Sequence, residues 1–558
     1  MGKSSQGSTL RSIPRSNLKR ILCSPDPLEI MSPKLRKLLV GTLLAVVFFI
    51  PFFSAQNFSP ATDEITHLPS GYSYWKTGQI SLNPQHPPLV KLMASFPLLF
   101  MDLKFDSQGP NLIGPARNEW AFGSSFLFSN DADRLLFWGR IPVMLLSVLL
   151  ALYLYKWASE MFSPKAGLLS LFLYAFMPSM IANAQFVTTD LPLASFSFVS
   201  FYYLWKFFRT DLKKHLIFSG LFIGLALSSK FSAVIFLPLA ALFIFIYAWR
   251  FRQEDLALKI RRSVNLMVLA ALPALAVVYF SYFLPTDPGF YLKGLKTVYA
   301  DWKPGYNFYL NGRFSPDGWR YYFLEAFLIK TPLPVLIVLA ASLLFYKKIK
   351  MDNWSKALVF LPMLFFGLIT SLKAHQISLR YLIPAFPFLL LFMGGLTVPL
   401  EVSLATKSRV RRTLAGLLLT GLAGWLVFSS VRIYPDYMAY FNELVGGPKN
   451  GYKYLDDSNI EWGQDLKRLA AYQEKNPETK AIYSWKNSQP EYFGVNNFMM
   501  ADDSGWWREP KGRYAVNTFL LIRMQLLSEQ RKDPELNWLA LYQPTERVGP
   551  SFFIYEFK

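Results

Sequence analysis

Eleven stretches of the chain are apolar with few interruptions: 38–53, 135–157, 166–184, 190–208, 216–229, 231–248, 265–284, 323–346, 357–372, 380–400 and 413–432. A helix needs ~20 mostly apolar residues to cross the hydrocarbon core of a bilayer. The pattern therefore predicts a polytopic α-helical membrane protein with about 11 transmembrane helices. Prolines 142, 178, 192, 273 and 384 fall inside these stretches, which membrane helices tolerate where neighbours satisfy the freed backbone groups. The pattern changes after residue 432. There "KAIYSW" and "PSFFIYEF" read as strands and 459–474 as a helix. A C-terminal segment of this length, 433–558, suits a soluble α+β domain.

Composition agrees with the first prediction. Of 558 residues, 52% are hydrophobic and 17% aromatic, which excludes an ordinary large soluble enzyme. Charge adds orientation. The tail 1–37, Lys165 and the loops "FRTDLKKH", "WRFRQEDLALKIRRS", "YKKIKMDNWSK" and "TKSRVRR" hold 25 Lys/Arg; with the flanking Glu160 and Glu401 counted, the acids there number eight, which leaves +17 of the net +21. Positive charge accumulates on the cytoplasmic side of membrane proteins. The basic tail and loops are therefore expected in the cytoplasm, with 54–134, 285–322 and 433–558 outside. Because topology explains the basic balance, no nucleic-acid partner is implied. The tail shows no cleavable signal peptide. The single cysteine, Cys23, excludes an internal disulfide.

Polar residues at the outer ends of the spans are the candidate chemistry. Arg140, Lys230, Lys330 and Arg380 stand where the charge rule disfavours cations. Each could snorkel to the headgroups. As a group they suit a lipid-borne phosphate, which Arg grips with two parallel bonds and Lys meets as a point charge. In "PATDEITHL" a helix is expected to start near Thr62, placing Asp63 and His67 on one face beside Glu64. A capped surface helix is the plainer alternative. Asp190 heads a later span and could be its N-cap or a second site acid. His86, in "HPPL", could contact substrate or pack in a loop. No HExxH or CxxC spacing marks a metal site, and the cofactor stays open. A carboxylate that takes the acceptor's proton, facing cations that stabilise a departing phosphate, fits transfer of a group from a lipid phosphate to a hydroxyl.

The run "DEITHLPSGYSYWKTGQISLNPQHPPLVK" resembles the first outer loop of the GT-C glycosyltransferases, in the group holding the protein O-mannosyltransferases (glycosyltransferase family 39) and the aminoarabinose transferase acting on lipid A. The likeness continues through "WGRIPVMLLS", "QFVTTDLPLASF", "SSKFSA", "YYFLEAFLIKTPLPV" and "RYLIPAFPF", most of residues 60–400. It implies an inverting transferase that takes a sugar from a polyprenyl-phosphate donor to a hydroxyl of protein, lipid or glycan. The setting implied is the outer face of a bacterial cytoplasmic membrane. Asp63 would be general base, Arg140 would bind the lipid phosphate and Asp190 matches a second acid; Glu64, His67 and His86 would orient base, acceptor and donor. The chain departs from the aminoarabinose enzyme by carrying Gln85-His86 where that enzyme has an acid before "KPPL". It also lacks the β-trefoil insert of eukaryotic relatives.

The segment 434–469 resembles a C-terminal extension of some bacterial family-39-like proteins. Ser458 and Glu461 have capping-box spacing, and Asp456 and Asp457 read as solvated capping acids or as acceptor contacts. The C-terminal domain is expected to shape acceptor choice and not the chemistry. Two further function classes fit the composition. A transporter or flippase of lipid-linked sugars would need acids in mid-span, whereas the polar residues cluster at one face. A non-catalytic glycan-assembly protein would tolerate Asn at residue 63.

Overall fold

The computed structural model describes residues 32–106, 119–250, 255–300, 306–405, 407–485, 487–501 and 505–558. Most of the basic tail, with Cys23, and parts of both expected outer loops lie outside the described residues. All eleven apolar stretches are helical. Among the described residues, seven helices are long and apolar enough to span a bilayer, and nine spans result if two bent pairs each count as one. The two remaining stretches fall short for different reasons. Lys213–Leu227 has only 15 residues. Asp190–Thr210 is long enough but interrupts its apolar surface with Ser, Tyr and Lys, and nearly all of it is buried against neighbours. The chain is a polytopic α-helical membrane protein with a C-terminal α+β segment.

Local chemistry sets the helix ends. Asp131, Ser163, Asp352 and Ser408 each accept a bond from a backbone N–H in the first turn that follows, relieving donors that the helix cannot satisfy itself. The two bent pairs break where the sequence sets proline at a helix start: Pro164–Ala175 with Pro178–Ala184, and Tyr322–Lys330 with Leu333–Leu344, bent by 65° and 116°. Lys330 sits on the second of these bends.

The expected first outer loop folds into short helices, Thr62–Thr77, Leu89–Ser95 and Glu119–Phe128. They pack so closely that a Cβ at Gly71 would stand 2.0 Å from the Lys91 carbonyl oxygen, and one at Gly123 would stand 1.9 Å from that of Ile65. The expectation that a helix starts near Thr62 matches the structure.

Strands β1 (Phe308–Leu310) and β2 (Arg313–Ser315) form a small hairpin. The C-terminal segment builds a five-stranded sheet from β3 (Lys480–Tyr483), β4 (Phe498–Met500), β5 (Gly512–Asn517), β6 (Glu546–Val548) and β7 (Phe552–Phe557), in the order β4-β3-β5-β7-β6. The two-residue alternation of β7 divides its side chains between two cores. Phe552 and Ile554 join Leu466 and Leu469 of one helix, while Phe553 and Tyr555 join Leu521 and Met524 of another. The helix expected over 459–474 spans only Leu466–Gln473.

Candidate active site

Asp63 and Glu64 open the helix Thr62–Thr77, and their carboxylates diverge. Glu64 is fully buried and meets Arg140 in a two-pronged bond, Nε to Oε1 at 2.9 Å and Nη2 to Oε2 at 2.6 Å. The backbone N–H groups of Val187 and Ala61 supply its other two bonds. Arg140 donates its remaining hydrogens to the carbonyls of Ala55, Phe58 and Ser59. A guanidinium has five donors, and all five are engaged. The arrangement ties residues 55–61, Glu64 and the Val187 loop to the helix Ala132–Met161. Arg140 thus differs from the sequence expectation of a phosphate ligand: no N–H remains to grip one. Glu64 likewise has no free acceptor site with which to act as a catalytic acid.

Lys330 departs from expectation for the same reason. Its three ammonium hydrogens reach the carbonyls of Met438, Tyr440 and Asn459 at 2.8, 3.1 and 2.6 Å, and its charge lies over the Phe441 ring. It is an anchor for the C-terminal segment.

The other two cations face acids. Arg380 Nη1 lies 3.3 Å from Asp63 Oδ2, and the Asp63 side chain keeps 27% of its exposure, open to a ligand. The Arg380 guanidinium lies over the Trp462 indole, its Cζ 3.8 Å from the ring centroid, and its Nε has no partner among the described residues. Lys230 Nζ lies 2.5 Å from Asp190 Oδ1 and 4.6 Å from the centre of the Tyr381 ring. Asp190 is the first helical residue of its span, and its carboxylate pairs with Lys230 without capping the helix. Arg380 feels Asp63 and Asp190 together, as does Lys230. These four groups form one electrostatic unit.

A cavity of about 360 Å³ adjoins this unit. It is lined by charged and polar side chains, among them His86, Asp190, Lys230 and Lys373, and by apolar ones, among them Phe231, Phe366 and Ile369. His67 donates from Nδ1 to the Val187 carbonyl at 2.9 Å, and its ring meets that of His86 edge-on, 5.1 Å between centroids. Burial lowers the pKa of His67, and that of His86 well below the usual imidazole range. Among the described residues no cluster of three His, Cys, Asp or Glu could hold a metal ion.

Several participants escaped sequence reasoning. Trp462, Tyr381 and His375 border the Arg380–Lys230 region. Lys91, fully buried, spends its donors on Tyr74 Oη and on Asn83. The signal for Trp462 was an aromatic residue set in the polar run "DDSNIEWGQD". The reading of that run also needs correction. Glu461 does not cap the helix that follows it; it accepts bonds from Gly463 N, Trp485 Nε1, Asn517 Nδ2 and, at the start of the helix Thr518–Arg531, Phe519 N. Asp456 is buried against Arg523, and Asp457 is buried beside Tyr306 at φ 53°. Neither is solvated.

The chain is similar in fold to several solved structures. They include ArnT from Cupriavidus metallidurans bound to undecaprenyl phosphate (13% identity, 92% of this chain and 97% of that one, TM-score 0.46). The Archaeoglobus fulgidus oligosaccharyltransferase in the apo form is another (12%, 85% and 66%, TM-score 0.45). A third is the S. cerevisiae Pmt1–Pmt2 complex bound to the sugar donor (17%, 47% and 35%, TM-score 0.32). No curated protein matches the chain. By sequence, residues 128–280, which include Arg140, Asp190 and Lys230, match the family of the dolichyl-phosphate-mannose-protein mannosyltransferases.

Proposed function

We propose that the protein is an inverting glycosyltransferase that moves a sugar from a polyprenyl-phosphate donor to a hydroxyl acceptor at the outer face of a cytoplasmic membrane. The observation that carries this is the pairing of a partly open carboxylate, Asp63, with Arg380, next to Lys230 and Asp190 in a cavity lined by charged and apolar side chains. Such a cavity suits a ligand that is anionic at one end and hydrocarbon at the other. The family match over residues 128–280 supports a polyprenyl-phosphate sugar as that ligand.

Asp63 takes the proton of the acceptor hydroxyl as its oxygen attacks the sugar's anomeric carbon. The bond from that carbon to the phosphate oxygen breaks, and its electron pair stays on the phosphate. Lys230, with the Arg380 guanidinium in the same electrostatic unit, stabilises the charge that develops there. Asp190 holds Lys230 in place, and His86 lines the donor's approach. The leaving phosphate needs no general acid, so one placed base suffices. Such a base accelerates a reaction ~10²–10⁴-fold.

The test is a purified-protein assay with a synthetic polyprenyl-phosphate sugar. Asp63→Asn is expected to lower turnover by that factor while donor binding persists. Wild-type turnover in Asp63→Asn with loss in Asp190→Asn would move the base to the other loop. Movement of the intact donor across a vesicle bilayer without bond cleavage would favour a flippase.

A further inference from the structure

The Asp63–Arg380 pair joins two loops more than 300 residues apart, and one short segment of the C-terminal domain is bonded to both. On the Asp63 side, the Trp462 carbonyl accepts from Thr62 N at 2.9 Å and Thr62 Oγ1 at 3.1 Å. The Gln464 carbonyl accepts from Ser59 N, and that of Gly463 from Ser59 Oγ. On the Arg380 side, Asn459 Oδ1 accepts from Leu379 N at 3.0 Å, and Asn459 Nδ2 donates to the Ile377 carbonyl and to Tyr322 Oη. The Ser458 carbonyl accepts from Ser378 Oγ. Between these contacts the Trp462 indole lies against the Arg380 guanidinium.

The segment is itself fixed. Glu461 binds it to the start of the helix Thr518–Arg531 and to Trp485 through its four accepted bonds. Lys330 holds the Asn459 carbonyl from the membrane side. Two of the bonds hold Thr62 N and Leu379 N, the backbone groups of the residues immediately before Asp63 and Arg380, so they set where both side chains begin.

We infer that residues 458–464 brace the catalytic centre, with Asn459 and Trp462 as positioning residues that fix the distance and angle between Asp63 and Arg380. The inference rests on the transferase reading above. The C-terminal domain is then a component of the centre, which differs from the sequence expectation that it serves acceptor choice alone. The aromatic face at residue 462 packs against the guanidinium, whose Nη1 meets Asp63. A cation–π contact of this kind strengthens when desolvated.

The experiment uses the full-length protein in a membrane mimetic, with steady-state kinetics on a synthetic polyprenyl-phosphate sugar and thermal melting on the same samples. Trp462→Leu is expected to lower kcat by ~10²-fold, the effect of misplacing a catalytic group by about 1 Å, with donor KM within about twofold of wild type. Trp462→Phe, which keeps an aromatic face, is expected to recover most of the loss. Asn459→Asp is expected to behave like Trp462→Leu, because a carboxylate cannot donate to Ile377 or Tyr322. Wild-type kcat in a folded Trp462→Leu would overturn the inference and leave the transferase reading intact. Equal losses in Trp462→Leu and Trp462→Phe would also overturn it, since a mere packing role makes no distinction of aromatic character. No transfer by the wild-type protein would overturn the transferase reading and the inference with it.

Discussion

Asp63 and Glu64 are neighbours in the chain whose carboxylates bind different arginines, Glu64 to the fully engaged Arg140 and Asp63 to the incompletely engaged Arg380. The difference separates scaffold from chemistry. A buried group with every bond made resists further interaction, while a partly exposed acid beside an unfilled cation can still meet a ligand.

Arg140→Ala is therefore expected to act on stability. Removing one partner of a buried ion pair costs roughly 3–5 kcal/mol, and three carbonyls lose their donor as well. Melting temperature should fall sharply. Arg140→Lys should also destabilise, since an ammonium cannot reproduce the fork. Unchanged melting with lost donor binding would return Arg140 to the role of phosphate ligand.

Lys230 is expected to act on the donor. A hydrogen bond to a charged group is worth about 1.5–3 kcal/mol. Lys230→Met should then raise donor KM on the order of 10–100-fold, with Asp190→Asn added in a second variant to remove the uncompensated acid. Titration of the purified variants with the lipid-linked donor checks this. Equal KM values in wild type and both variants would remove Lys230 from the donor site.

A protein ending at Val431 is expected to be inactive toward the donor. It would lose the carbonyls of Met438, Tyr440 and Asn459 that hold the Lys330 ammonium, and every bond that residues 458–464 make to Ser59, Thr62, Ser378 and Leu379. Donor hydrolysis by such a truncation at the full-length rate would show that the membrane portion assembles the centre alone.

Stability should also depend on pH through Glu461. Burial pushes its carboxyl up to about 7, against the bonds it accepts. The folded state thus keeps this proton over a range where the unfolded chain, with an ordinary carboxyl, has lost it. The resulting stabilisation is complete below the unfolded value and declines as pH rises toward 7. One pKa unit corresponds to about 1.4 kcal/mol. Melting temperature is expected to fall between pH 5 and 8, and Glu461→Gln to be less stable but flatter over that interval. An identical slope in the variant would assign the dependence to other groups.

Much of this was legible along the chain. Helical stretches, the start at Thr62, and β3 and β7 follow from periodicity and local propensity, which act over a few residues. Asp63, Asp190, Lys230 and Arg380 could be singled out because charges beside apolar runs are costly. What could not be read was partnership. Arg140 and Arg380 look alike in sequence, and only the fold reveals that one meets Glu64 with three carbonyls and the other Asp63 with an indole. The capping-box reading of Ser458 and Glu461 failed for a related reason: tertiary donors from Asn517 and Phe519 outcompeted a local bond.

The bonds from Ser59 and Thr62 to Gly463 and Trp462 close loops of about 400 residues. Contacts of such separation form late, because the intervening chain must exist and be ordered first. During synthesis, a ribosome-bound intermediate would already have inserted Asp63, Asp190 and Lys230 while the segment that aligns Asp63 with Arg380 was still untranslated. On the proposed reading, a nascent or prematurely terminated chain would be inactive toward the lipid donor, and competence would arrive only once residues 458–464 have been made.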